Sequence, residues 1–244
     1  MKRSSSRTAL ACCAVLAACG GGGGDAAVAP SIAGLYEGSG GSNRASELLI
    51  LDSGRYYLVY GLGSASATPV GGVIVGDGSA SDTTFASANA HDFNLQSHTL
   101  LTATLSSTIA SMASASTAVV RSDGSSATYG GTYNATSGNG ASLATLAGTY
   151  GGELVGLADT LPSVLTIDMS GVLAGTTSAS CSYAGIAMPH GGANAYDVTL
   201  NLRSGCPNAG STLHGHAFLS GKVLYLVAAT GDLTGVTLFS GVKP

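Results

Sequence analysis

Tyr196-Asp-Val-Thr-Leu-Asn-Leu202 alternates apolar and polar side chains without a slip. A period of two places Tyr196, Val198, Leu200 and Leu202 on one face and Asp197, Thr199, Asn201 and Arg203 on the other, which predicts a strand with one buried and one wet face. Leu101-Thr-Ala-Thr-Leu105 repeats the pattern, and Lys222–Ala229 and Val236–Val242 are further runs rich in β-branched and aromatic residues. Asp52-Ser-Gly54, Asp77-Gly78, Asp123-Gly124, Ser220-Gly221 and Gly231-Asp232 punctuate these runs as short-turn signals. No segment of ten or more residues carries a convincing helical period. Tight turns between neighbouring strands argue for antiparallel meanders rather than parallel βαβ units.

The pattern occurs twice. Ala33-Gly-Leu-Tyr36-Glu-Gly38 returns as Ala147-Gly-Thr-Tyr150-Gly-Gly152, and Leu49-Ile-Leu-Asp52-Ser-Gly54 as Leu165-Thr-Ile-Asp168-Met-Ser-Gly171. Tyr129-Gly-Gly-Thr-Tyr133 closes the first copy and Phe239-Ser-Gly-Val242 the second. The period is too long for a solenoid repeat and has the size of a small domain. Each copy carries about eight strands, enough for a meander to close and remove its exposed edges. The expected fold is all-β: two tandem, small, antiparallel up-and-down barrels, the first over 32–137 and the second over 142–244. Ser137-Gly-Asn-Gly-Ala141 is the linker between them. One larger sandwich is the competing architecture.

The first thirty residues follow another rule. Met1–Arg7 carries Lys2, Arg3 and Arg7 with no acid, and Thr8–Ala18 is a short apolar run, below the about 20 residues needed to span a bilayer as a helix. That is an export signal, over residues 1–18, and it is set aside from the fold. It ends in Leu16-Ala17-Ala18-Cys19, followed by Gly20, and so resembles the lipobox of bacterial lipoproteins. The resemblance implies cleavage before Cys19, lipid on its thiol and an acylated amine. Gly20 rather than Asp fits that family's sorting to the outer membrane. An ordinary secretory signal is the rival reading. Residues 19–31, with Gly20–Gly24 unbroken, then form a tether that sets the body about 20 Å from the membrane.

Of the five cysteines, Cys12 and Cys13 leave with the signal and Cys19 takes lipid, which leaves Cys181 and Cys206. In an oxidising compartment such a pair reads as a disulfide; two separate buried thiols are the alternative. Neither cysteine has zinc-site spacing. The chain has 9 basic and 13 acidic residues, and loss of the leader's three basic ones leaves the body more acidic. Nucleic acid is therefore a poor partner, and membrane contact falls to the lipid. Transmembrane strands are disfavoured because aromatic residues make up only 6% and because lipid would reject Asp197, Asn201 and Arg203.

Catalytic signatures are missing. There is no Gly-x-Ser-x-Gly elbow, and Gly215–Lys222 has neither the spacing nor the following hydroxyl of a phosphate-binding loop. The chain is expected to be no enzyme and to need no cofactor. His214-Gly-His216 places two imidazoles on one strand face, half of a metal site if His190 or Asp197 completes it, although two polar residues on a solvated face are the favoured reading and no metal is expected. His91-Asp92 and His98 read as surface residues flanking a loop. Asp52 and Asp168, equivalent in the two copies, read as turn formers.

Lipobox, glycine-rich tether and small barrels together resemble surface lipoproteins of Gram-negative bacteria, among them the factor H-binding and transferrin-binding lipoproteins, and also two-repeat β-barrel lipoproteins of proteobacteria. The likeness is one of architecture, with no binding residue of those families matched. It implies a lipid-anchored outer-membrane protein, on the periplasmic or cell-surface face, whose head binds a protein partner or serves the envelope. A carrier holding a small apolar molecule inside a barrel is the alternative.

Overall fold

The computed structural model describes residues 32–63 and 68–244. Nine strands make the first body: β1 (Gly34–Gly40), β2 (Ala45–Ile50), β3 (Arg55–Gly61), β4 (Val70–Asp77), the short β5 (Ser79–Ser81), β6 (Thr84–Asn94), β7 (Thr99–Ala110), β8 (Ser114–Arg121) and β9 (Ser126–Tyr133). All neighbours pair antiparallel; β1 pairs with β9, and β4 pairs with β6 past β5, so eight strands close a barrel. A single helical turn (Leu143–Leu146) leads into the second body: β10 (Gly148–Gly156), β11 (Thr160–Ile167), β12 (Val172–Thr177), β13 (Ser182–Pro189), β14 (Ala195–Leu202), β15 (Thr212–Ser220), β16 (Val223–Ala229) and β17 (Val236–Val242). These eight also close, with β10 against β17. The two tandem barrels expected from the sequence are the fold.

The duplicated motif has one geometry in both copies. Gly34 and Gly148 sit at φ 144° and 151°, where L side chains are strained. Two residues on, the Tyr36 hydroxyl donates to the Ile32 carbonyl and the Tyr150 hydroxyl to that of Leu146, the same four-residue reach back. Gly38 and Gly152 stand where the first and last strands of each barrel meet. A Cβ there would lie 1.9 Å from the Gly130 carbonyl oxygen or 2.0 Å from that of Ser240. The two glycines and the tyrosine of Ala-Gly-x-Tyr-x-Gly thus do the same work in both copies. Where Tyr133 packs edge-on against Tyr36, Lys243 lies over the Tyr150 ring.

Both interiors are packed with side chains. Tyr36, Tyr56, Tyr60, Phe85 and Tyr129 fill the first together with Leu48, Ile50, Leu58 and Ile74. Tyr150, Tyr183, Tyr196 and Phe239 fill the second together with Leu165, Leu173, Leu200 and Leu226. The predicted inward set of β14 is inward: Tyr196, Val198, Leu200 and Leu202 are all buried.

A third core lies between the barrels. Ten residues of the first, including Leu49, Tyr57, Val59, Val73 and Phe93, meet eight of the second, including Phe218, Tyr225, Val227 and Leu238. Phe218 and Tyr225 stack with ring centroids 5.2 Å apart. Strands at this junction are buried on both faces, as in Tyr56–Tyr60 and Leu224–Ala229, whereas residues 102–110 of β7 and β8 alternate between exposed and buried. Each buried large apolar side chain contributes about 1.5–3 kcal/mol, so a junction of this size joins the barrels into one body.

Candidate functional site

A polar strip rises out of this junction where β14 and β15 of the second barrel face the β2–β3 turn of the first. Asp197 and His216 are register partners on adjacent strands and point outward. His190 follows β13 in a loop that returns to the strand by a backbone bond from His190 to the Ala195 carbonyl, 2.8 Å. The Asp197 Oδ1 atom lies 2.7 Å from His190 Nδ1 and 3.1 Å from His216 Nε2. The first barrel supplies the other side of each ring. Asp52 Oδ1 is 3.2 Å from His190 Nε2, and the Tyr57 hydroxyl is 2.7 Å from His216 Nδ1. The two imidazoles stand edge to face, 5.4 Å between centroids.

Electrostatics give the two rings different states. Burial would lower the His190 pKa, but hydrogen bonds and charge from Asp197 and Asp52 outweigh it and raise it. When protonated, His190 donates both ring N–H groups to carboxylates. Burial pushes His216 down to about 4 against the opposing pull of Asp197, with the charges of His190 and Arg55 adding to the fall. A neutral His216 donates Nε2–H to Asp197, an acceptor only, and so accepts the Tyr57 hydroxyl at Nδ1. Arg55 is itself paired with Asp77 at 3.0 Å. His190, Asp197 and His216 each bring one ligand atom within 4.8 Å of the other two, and they form the only such group of three His, Cys, Asp or Glu among the described residues.

Of the two histidines singled out in the sequence, His216 belongs to this cluster. His214, on the same strand face, lies apart, with Nδ1 3.3 Å from the Thr199 hydroxyl. Asp168 behaves as a turn former, its Oδ1 accepting from the Ser170 and Val172 amides. Asp52 does not: it reaches across to His190. Nothing local marked Asp52 or Tyr57 as partners of the histidines, because the contact exists only once the barrels dock. Asp92 is a correction to its reading as a surface residue. It is fully buried inside the first barrel, where it accepts hydrogen bonds from Tyr60 (2.8 Å) and from Arg121 Nε. His98 also contacts the other barrel, with Nδ1 2.6 Å from the Leu157 carbonyl oxygen, while His91 is bonded locally to the Asn89 carbonyl.

A second polar spot interrupts the junction. Glu37 and Glu47 are register partners on β1 and β2. Glu37 accepts from Asn134 (2.9 Å) and from Ser220 of the second barrel (2.6 Å). Glu47 is buried, and its Oε2 has no hydrogen-bond partner. Burial first, and then the neighbouring Glu37 charge, raise its pKa to about 8, with the Ser220 hydroxyl offsetting part of this.

Cys181 and Cys206 form the expected disulfide (Sγ–Sγ 2.00 Å), tying the start of β13 to the segment after β14 at one mouth of the second barrel. That mouth is an apolar cavity of about 190 Å³, lined by Leu154, Leu161, Leu202, Leu213, Val236 and the disulfide. The stretch expected to hold the signal peptide, Cys19 and the tether lies outside the described residues. No described helix is long and apolar enough to cross a membrane. No family model matches the chain, and no curated protein matches it either.

Proposed function

We propose that this chain is an exported lipoprotein, cleaved before Cys19 and anchored by lipid to the outer membrane, whose double-barrel head works by binding a macromolecular partner or serving the envelope rather than by catalysis. The leader and lipobox carry the anchoring half of this reading. The observation that carries the other half is the packing of both barrel interiors, which moves recognition to the outer walls. One wall offers an apolar surface. Val172 and Ile186 are cross-strand partners, Met188 lies two residues further along, and all three are exposed on the outer wall of the second barrel, with Met188 paired to Asp197 at the edge of the junction strip. Exposed apolar groups gathered on one wall are a mark of contact surfaces.

Radiolabelled palmitate in a Gram-negative host tests the anchor. The wild type should label and fractionate with outer membranes, and Cys19→Ser should do neither; labelling of both proteins would overturn it. Cross-linking in whole envelopes tests the surface. A discrete partner captured by the wild type should be lost with Ile186→Lys/Met188→Lys, and equal capture by both would remove this wall from the reading.

The mouth cavity favours a second reading, a carrier for an apolar molecule. Its volume is below the roughly 300–1,000 Å³ of sites that enclose a drug-sized ligand, so it would take a chain end or a small ring. A fluorescent fatty-acid probe should then bind the wild type and be excluded by Leu213→Trp.

A further inference from the structure

From the junction strip we infer a metal site: His190 Nδ1, Asp197 Oδ1 and His216 Nε2 are the three protein ligands of a divalent transition ion of the zinc class, with water in the fourth position. The inference does not rest on the lipid anchor or on a macromolecular partner.

The donor set is the first reason. Two imidazoles and one carboxylate suit zinc and its neighbours, and three protein ligands with an open position are a recurrent zinc arrangement. Spacing is the second. Bonds of about 2.0–2.1 Å in a tetrahedron separate neighbouring ligand atoms by roughly 3.3 Å. Asp197 Oδ1 lies 2.7 Å and 3.1 Å from the two nitrogens, and all three ligand atoms fall within 4.8 Å of one another, so side-chain rotation alone can set them around one ion. Asp197 is 54% exposed at its side chain while the histidines are 15% and 17% exposed, which leaves an entry path on the carboxylate side and two oriented donors behind it.

The support behind the ligands is the third reason and the most specific. Histidines that bind metals use their second nitrogen to bond a carboxylate or another fixed group, which sets tautomer and ring orientation. Here both do: Asp52 Oδ1 holds His190 Nε2, and the Tyr57 oxygen faces His216 Nδ1. With His216 Nε2 on the ion, the ring proton moves to Nδ1 and donates to Tyr57. The ion replaces the proton that His190 Nδ1 donates to Asp197, and that proton leaves to solvent. Two carboxylates, Asp52 and Asp197, balance the divalent charge, while Arg55 is occupied by Asp77.

Every proposed ligand comes from the second barrel and every supporting group from the first. The docked junction therefore orients the ligands and strengthens binding, and the ion in turn would favour the docked state.

Zinc is the probe. The full chain, stripped with a chelator and titrated against a chromophoric zinc competitor, should bind one equivalent, release protons on binding and show a raised Tm. Cobalt should give the visible bands of a four- or five-coordinate ion. His190→Ala and His216→Ala should each weaken zinc at least ten-fold, and Asp52→Asn and Tyr57→Phe about 10–100-fold with the stoichiometry kept. His214→Ala should bind as the wild type does. Asp197→Asn, which keeps the shape of the strip, serves should a histidine variant fail to fold, and it should also lose the cobalt spectrum. A wild type that binds zinc no more tightly than Asp197→Asn, or that gives only the octahedral cobalt spectrum of the hydrated ion, overturns the assignment, and the strip is then an Asp–imidazolium–Asp clasp alone.

Discussion

The Tyr57 hydroxyl, on the first barrel, lies 2.7 Å from Nδ1 of His216 on the second, and it satisfies the nitrogen that Asp197 leaves without a proton. Neutral His216 keeps its proton on Nε2 because the Asp197 carboxylate can only accept, and Tyr57 donates to the other nitrogen. Removing the hydroxyl in Tyr57→Phe leaves a buried acceptor unsatisfied, at a cost of about 1–3 kcal/mol. Denaturant unfolding should show that loss. Imidazole NMR signals should show the wild-type His216 unchanged from pH 8 down to about pH 5.5, titrating only toward its lowered value of about 4. A His216 signal that titrates at the ordinary histidine pH would contradict the electrostatic account of the strip.

Inside the first barrel, Arg121 and Asp92 form an ion pair whose carboxylate has no exposure. Burial works against the guanidinium, but the hydrogen bond and charge of Asp92 hold its pKa above the usual value. Arg121→Ala would leave Asp92 with Tyr60 alone, and losing one partner of a buried pair costs about 3–5 kcal/mol. The double variant Asp92→Leu/Arg121→Met, which removes both charges, should recover most of that stability. A single variant as stable as the wild type would mean that the pair is hydrated.

The split between what the sequence announced and what it concealed follows the same line. Strict alternation in Tyr196–Leu202 and Leu101–Leu105 marks walls with one wet face, and these strands lie where the pattern puts them. The repeated Ala-Gly-x-Tyr-x-Gly was legible as a duplication because its glycines and tyrosine serve local closure. The junction was not read, although its signature was present: Leu48–Leu51, Tyr56–Tyr60 and Leu224–Ala229 are unbroken apolar runs, the mark of strands buried on both faces. Asp52 was beyond local reading. It occupies the same turn position as Asp168, and its partner is 138 residues away. Asp92 gave no local sign of burial, because its neighbour His91 is only half-buried and its partners Tyr60 and Arg121 are about thirty residues away in either direction.

The two motif tyrosines offer an internal control on the duplication. Burial pushes Tyr36 and Tyr150 up to about 12, so both hydroxyls remain donors across the accessible pH range. Tyr36→Phe and Tyr150→Phe each delete one buried hydrogen bond and should each lower stability by about 1 kcal/mol. Equal losses, measured by urea unfolding of the full chain, are expected because the geometry is the same. A loss confined to one barrel would show that the repeat retains its shape but not its energetics.

Glu47 gives the head a pH dependence of defined sign. A carboxyl raised to about 8 in the folded protein, from an ordinary 4.5, contributes nothing below about pH 4.5, where both states are protonated. Above that the unfolded chain ionises while the folded one keeps its proton. Stability then falls by up to about 1.4 kcal/mol per pH unit until the folded group ionises as well. Glu47→Gln keeps the size and removes the titration. Its Tm should match that of the wild type near pH 4 and exceed it increasingly toward pH 8, levelling off above. Because Glu47 lies beside Glu37, which is itself bonded to Ser220 of the second barrel, the lost stability should appear first as loosening of the junction. Hydrogen exchange on the apolar runs of β2 and β16 should therefore quicken with pH in the wild type beyond the intrinsic base-catalysed increase, and should follow that increase alone in Glu47→Gln. A Tm difference that is constant across pH would show that Glu47 is ionised in the folded protein throughout.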